Sequence, residues 1–189
     1  MKKTRFVIRL MTGAVCLMTA ATMASAQDGY IKARGKPGAA GVFVDGKYLG
    51  PSERFTVPEK YPVAPGDHEV VLKDPRYEDF TVKVVVKAHK TTKINFHSKK
   101  LTPPQGPFGR LRFGGGEKES FISVAQGDTS AVYINGKFYG MLDELNNIGG
   151  GLLLPPGDYE VKCSSPLFGD ISQVVKLEAN KVTVIPLKK

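Results

Sequence analysis

The chain repeats itself, and this constrains its fold more than any other feature. Gly41-Val42-Phe43-Val44-Asp45-Gly46-Lys47-Tyr48-Leu49-Gly50 matches Ala131-Val132-Tyr133-Ile134-Asn135-Gly136-Lys137-Phe138-Tyr139-Gly140 at an offset of 90. One inserted residue moves the offset to 91, where Ala64-Pro65-Gly66-Asp67-His68-Glu69-Val70 meets Pro155-Pro156-Gly157-Asp158-Tyr159-Glu160-Val161. The register then continues, pairing Asp74-Pro75-Arg76-Tyr77 with Ser165-Pro166-Leu167-Phe168 and Lys87-Ala88-His89-Lys90 with Glu178-Ala179-Asn180-Lys181. Two copies of this length are tandem domains, each able to build a small core, whereas solenoid units are shorter and need several neighbours.

Each copy reads as strands. Asp45-Gly46 and Asn135-Gly136 tolerate positive φ at both central turn positions and lie between β-branched and aromatic runs, so both mark tight hairpins. Pro65-Gly66-Asp67 and Pro156-Gly157-Asp158 are turns that launch a further strand, and Asp67 and Asp158 are expected to cap these turns through their own side chains. Alternation turns His68, Val70 and Leu72, then Phe80, Val82, Val84 and Val86, then Ile94 and Phe96 toward a core. By the same register Cys163 takes the place of Leu72 and is expected to be a buried, unreactive thiol. No stretch after residue 26 has sustained helical periodicity, so the expected fold is all-β, with one sandwich per copy and no helix longer than a turn or two.

Residues 1–26 read as a cleavable secretory signal peptide. Lys2, Lys3, Arg5 and Arg9 form a cationic start, an uncharged stretch follows from Leu10, and Ala24-Ser25-Ala26 supplies the small-x-small cleavage pattern. The stretch is diluted by Thr, Gly and Ser and falls short of the ~20 strongly apolar residues of a spanning helix, so the mature chain is expected to carry no transmembrane anchor. Val15 precedes Cys16 where lipidation requires a small residue, which disfavours a lipoprotein. Removal of the segment leaves Cys163 as the sole cysteine, so no internal disulfide can form.

Without those four cations the net charge falls from +9 to +5. Residues 27–97 hold twelve Lys/Arg and nine Asp/Glu, residues 98–118 hold five and one, and residues 119–189 hold six and eight. An excess concentrated in one short stretch is not the field that nucleic-acid binders spread over a face, so no nucleic-acid partner is expected. Residues 98–118 also carry Pro103-Pro104, Gly106-Pro107 and Gly114-Gly115-Gly116, and read as a basic linker between a first β domain at 27–97 and a second at 119–189. Within the linker Arg110-Leu111-Arg112-Phe113 alternates and is compatible with docking as an edge strand.

Both copies resemble the PEGA domain, a small β-rich module of secreted and envelope proteins. The residues that carry the resemblance are the alternating strands before the Asp/Asn-Gly hairpins (Val42 to Gly50, Val132 to Gly140), the Pro-Gly-Asp turns and following strands (Pro65 to Val70, Pro156 to Val161), and the aromatics Tyr77 and Phe168. The resemblance implies noncatalytic, Ig-like β-sandwiches at the cell envelope, with no shared ligand, cofactor or catalytic residue to carry across.

The residues themselves agree with a noncatalytic reading. His68, His89 and His97 lie in no local metal or nucleophile signature, and the first two are replaced by Tyr159 and Asn180 in the other copy. Asp74, Glu78 and Asp79 read as solvated loop charge rather than a metal site. The leading expectation is a secreted or periplasmic scaffold that binds an envelope protein or polymer. The alternative is a carbohydrate- or polyanion-binding module, with Tyr48, Phe138 and Tyr139 stacking on sugar or Lys99, Lys100, Arg110 and Arg112 gripping an acidic polymer. No cofactor is expected.

Overall fold

The computed structural model describes residues 27–187, apart from Phe55, 115–126 and 148–150. The expected signal peptide, with Cys16, lies outside the described residues, as do 115–118 of the expected linker and 119–126 of the expected second domain.

The first unit contains β1 (Gly29–Lys36), β2 (Gly41–Val44), β3 (Lys47–Pro51), β4 (Glu53–Arg54), β5 (Val57–Pro58), β6 (Tyr61–Val63), β7 (Gly66–Lys73), β8 (Phe80–Val86) and β9 (Thr91–His97). The second contains β10 (Gly109–Gly114), β11 (Ala131–Ile134), β12 (Lys137–Met141), α1 (Leu142–Asn147), β13 (Leu152–Leu154), β14 (Gly157–Ser165), β15 (Gly169–Leu177) and β16 (Val182–Pro186). The fold is nearly all β, as expected. A four-stranded sheet, β3-β2-β7-β8, faces a three-stranded one, β6-β1-β9, and the second unit repeats both orders as β12-β11-β14-β15 and β13-β10-β16.

Alternation places the core. Val42, Val44, Val70, Leu72 and Val86 of one sheet meet Ile31, Ala33, Ile94 and Phe96 of the other. In the second unit Val132, Ile134, Val161, Cys163 and Leu177 meet Leu111, Phe113 and Ile185. The Asp/Asn-Gly dipeptides form the expected hairpins, with Asp45 at φ 49° and Gly46 at 80°, and Asn135 at 50° and Gly136 at 74°.

β8 and β9 are consecutive but lie in different sheets. The chain turns a corner at His89 (φ 57°), and β9 crosses to the other sheet, where it runs parallel to β1. Burial drives this choice, since Ile94 and Phe96 close the core opposite Val70 and Leu72.

Two stretches within the expected linker at 98–118 pack into the units. Lys99 and Lys100 belong to the first unit: the Glu78 N–H donates to the Lys99 carbonyl, and Lys100 bridges to Tyr77. Gly109–Gly114 is β10, the central strand of its sheet rather than an edge, with Leu111 and Phe113 fully buried. Its first glycine marks close packing, not flexibility, because a Cβ on Gly109 would stand 2.6 Å from the Glu178 carbonyl oxygen.

Candidate functional site

The aromatics proposed to stack on sugar are spent inside the molecule. Tyr48 and Phe138 each face a hairpin partner, Phe43 and Tyr133, and the two hairpins then meet. Phe43 and Phe138 pack edge to face at 5.3 Å between centroids, and Tyr48 lies 5.6 Å from Phe138. The Tyr48 hydroxyl donates to the Thr129 carbonyl at 2.9 Å, and burial raises its pKa far above the usual phenol value. Tyr139 packs against the core of the second unit. Tyr48 and Phe138 thus pack across their own hairpins, and this packing extends between the units.

The proposed linker cations are dispersed. Lys99 Nζ lies 3.3 Å from Glu78 Oε1, and Lys100 sits at the bridge to Tyr77. Arg110 and Arg112 project from β10 beside Val182 and Val184 of β16, in a separate unit from the lysines. The four residues do not form one grip.

Nor does His68 present a free imidazole. Its Nδ1 lies 2.7 Å from Asp45 Oδ2 and its Nε2 2.8 Å from the Ala64 carbonyl, two acceptors that together call for an imidazolium. The bond to Asp45 raises the His68 pKa above its usual 6.5 and lowers that of Asp45 below 3.8. Asp45 Oδ1 also accepts from the Glu69 N–H at 3.0 Å, as Asn135 Oδ1 does from Glu160 at 2.8 Å. The hairpin residues thus supply the side-chain acceptors expected of Asp67 and Asp158, which make no such bond among the described residues. The Pro-Gly turns precede strands already held by ladder bonds, leaving these aspartates little backbone to cap.

Asp74 is a second correction. It is buried rather than solvated, because Arg76 clamps it through Nε at 2.9 Å and Nη2 at 2.6 Å, while the Arg76 backbone N–H donates to the same carboxylate. Among the described residues no group of three His, Cys, Asp or Glu side chains is placed to hold a metal ion.

The charge segregation that sequence counting averages away lies on the three-stranded sheet of the first unit. β1, β6 and β9 together contain Lys32, Arg34, Lys36 and Lys93 and no Asp or Glu. Ile31, Ala33, Ile94 and Phe96 point inward, so the alternate positions, including all four cations, face out. The parallel register sets Lys32 beside Lys93, Arg34 beside Asn95 and Lys36 beside His97. Cations at every second residue of β1 were a readable signal. Their convergence with Lys93 required the parallel pairing.

Residues 29–101 match the PEGA domain family. PEGA is a noncatalytic family found in extracellular and envelope proteins, and its boundary includes Lys99 and Lys100, as the hydrogen bonding does. No curated protein matches the chain. Among solved structures, the Bacillus anthracis TIE protein is similar at 16% identity with a TM-score of 0.31, over 86% of this chain and 34% of its own, so the chain spans about a third of that protein's length. Among the described residues no helix is long and apolar enough to cross a membrane.

Proposed function

We propose that the protein is an exported, noncatalytic binding module of the cell envelope, secreted or periplasmic, built from the PEGA domain and a second, PEGA-like copy. The observation that carries this reading is the family match together with the same strand orders in residues 109–186. The His68 imidazole, engaged at both nitrogens, and the Asp74 carboxylate, clamped by Arg76, support a structural use of these residues. The partner is an envelope protein or polymer, met by loops and exposed sheet surface on a rigid β scaffold.

Fractionation of producing cells, with N-terminal sequencing of the protein recovered, tests the proposal. A mature chain beginning at Gln27 in the envelope or medium is expected. Cytosolic protein retaining residues 1–26 would overturn the exported role, and turnover of an envelope substrate by the pure protein would overturn the noncatalytic one.

A further inference from the structure

We infer that the outer face of the β6-β1-β9 sheet docks a linear acidic polysaccharide, with Lys32, Arg34, Lys36 and Lys93 as its cationic contacts. The inference deepens the proposed function by naming the polymer class and the surface that meets it.

The four charges form a strip two strands wide. Alternate residues along β1 stand roughly 6.8 Å apart and neighbouring strands roughly 4.8 Å, so three cations span about 14 Å with a fourth alongside. None of the four takes part in an ion pair among the described residues. Folding gains little from the arrangement, because like charges set opposite one another, as Lys32 and Lys93 are, repel. Local frustration of this kind is expected where a surface serves a partner.

The surface chemistry selects among polyanions. Single-stranded nucleic acid needs open aromatic platforms, but Tyr30, the sole aromatic among the outward positions of this sheet, has its ring covered by Lys60 Nζ at 3.7 Å. An anionic bilayer surface rewards apolar side chains that insert, and the large exposed hydrophobics, such as Val85, Leu153 and Val174, lie on other strands. What the face does offer between its cations is Thr91, Asn95 and His97, donors and acceptors suited to sugar hydroxyls. Arg34 adds the planar fork that grips a carboxylate through two parallel bonds. An extended polymer of carboxylated sugars meets each of these features without a pocket.

Binding of the purified protein to polygalacturonate, with neutral dextran, phosphatidylglycerol vesicles and single-stranded DNA as competing arms, tests the inference in solution, independently of where the protein resides. Polygalacturonate should bind at low salt and weaken as salt rises. The triple variant Lys32→Gln, Arg34→Gln, Lys93→Gln should bind about tenfold or more weakly, with a shallower salt slope, while Lys99→Gln, Lys100→Gln should change affinity by less than about twofold. In the unaltered protein, bound polymer should shield Lys32, Lys36 and Lys93 from acylation more than Lys99, a readout that does not depend on any variant folding. Unchanged affinity in a folded triple variant, absence of shielding, or equal binding to dextran would overturn the inference. Tighter binding to the vesicles or DNA than to polygalacturonate would overturn the choice of polymer.

Discussion

In the first unit Asp45 holds an imidazole, whereas in the second Asn135 and Tyr159 occupy the matching positions and carry no charge. The backbone anchors are the same. His68 Nε2 donates to Ala64 and the Tyr159 hydroxyl donates to Pro155, each to the carbonyl four residues before it. Two chemistries can therefore close one turn, provided each supplies a donor at that point. The outer sheets diverge further, since Lys93 of β9 is matched by the exposed Val184 of β16. The shared scaffold depends on inward residues, and the outward ones are free to differ.

The contact between the units also shows this divergence. Phe43 and Tyr48 of one hairpin correspond by register to Tyr133 and Phe138 of the other, so similar faces meet. A cleft of about 530 Å³ lies beside Tyr48 and Leu167, and one of about 170 Å³ beside Phe138, Arg76 and Glu144. Among the described residues the first unit has no counterpart to α1, which carries Glu144 to within 4.0 Å of Arg76.

The strongest way to break the comparison is to remove the shared aromatic contact. Phe138→Ala should cost about 3 kcal/mol, since a nearly buried ring is lost from between Phe43 and Tyr48. In calorimetry the units should then unfold in separate transitions. A variant that melts as the unaltered protein does would show that the hairpins do not rely on one another.

A smaller effect is expected at the hairpin turns. Asn135→Ala should cost about 1–2 kcal/mol, because a backbone N–H loses its acceptor and alanine must adopt a positive φ of 50°, and Asp45→Ala, at φ 49°, should destabilise in the same direction while also releasing His68. Asp45→Gly and Asn135→Gly keep the backbone conformation and remove the side-chain bonds, to Glu69 and His68 at Asp45 and to Glu160 at Asn135, so denaturant melts of the two pairs separate these contributions. Equal losses for alanine and glycine would assign the whole effect to the side-chain bonds.

Cys163 makes the second unit separately visible. Burial pushes its thiol up to about 12, so a thiol reagent should leave the native protein unmodified at neutral pH and react as β14 opens. Rapid labelling of the folded protein would contradict its place in the core. Labelling that keeps pace with the unfolding of the first unit alone would sharpen the case for coupling through Phe138.

How much of this was legible in sequence follows from what each signal encodes. The hairpins were legible because Asp45-Gly46 and Asn135-Gly136 state their φ requirement in two residues. The burial of Cys163 followed from the register with Leu72. Alternation, however, says which way a side chain points and not which strand lies alongside, so the parallel pairing of β1 with β9 remained hidden. β10 was obscured by flanking glycines and prolines that average to a linker, although Leu111 and Phe113 already alternated. The basic face was obscured by counting, because the nine acids of residues 27–97 offset cations that the fold places elsewhere.

The smallest expected effect concerns pH, and it distinguishes the units without disturbing their cores. His68 has its folded pKa raised, so its contribution is fully present below the ordinary value of 6.5 and is lost as pH rises through the folded value. Asp45 has its folded pKa lowered, so its contribution is present above the ordinary 3.8 and is lost as pH falls through the folded value. The pair therefore stabilises the first unit fully between these two ordinary values, and raising the pH from about 5 to about 9 should weaken that unit. Asn135 and Tyr159 form no such pair, so the second unit, followed through Cys163 at each pH against an unfolded-thiol control, should lack this component. The double variant Asp45→Asn, His68→Tyr gives the first unit the chemistry of the second and should remove its response to pH over this range. If the response persists in that variant, the pH dependence arises outside the turn, and the charged pair is only another way of holding the same carbonyl.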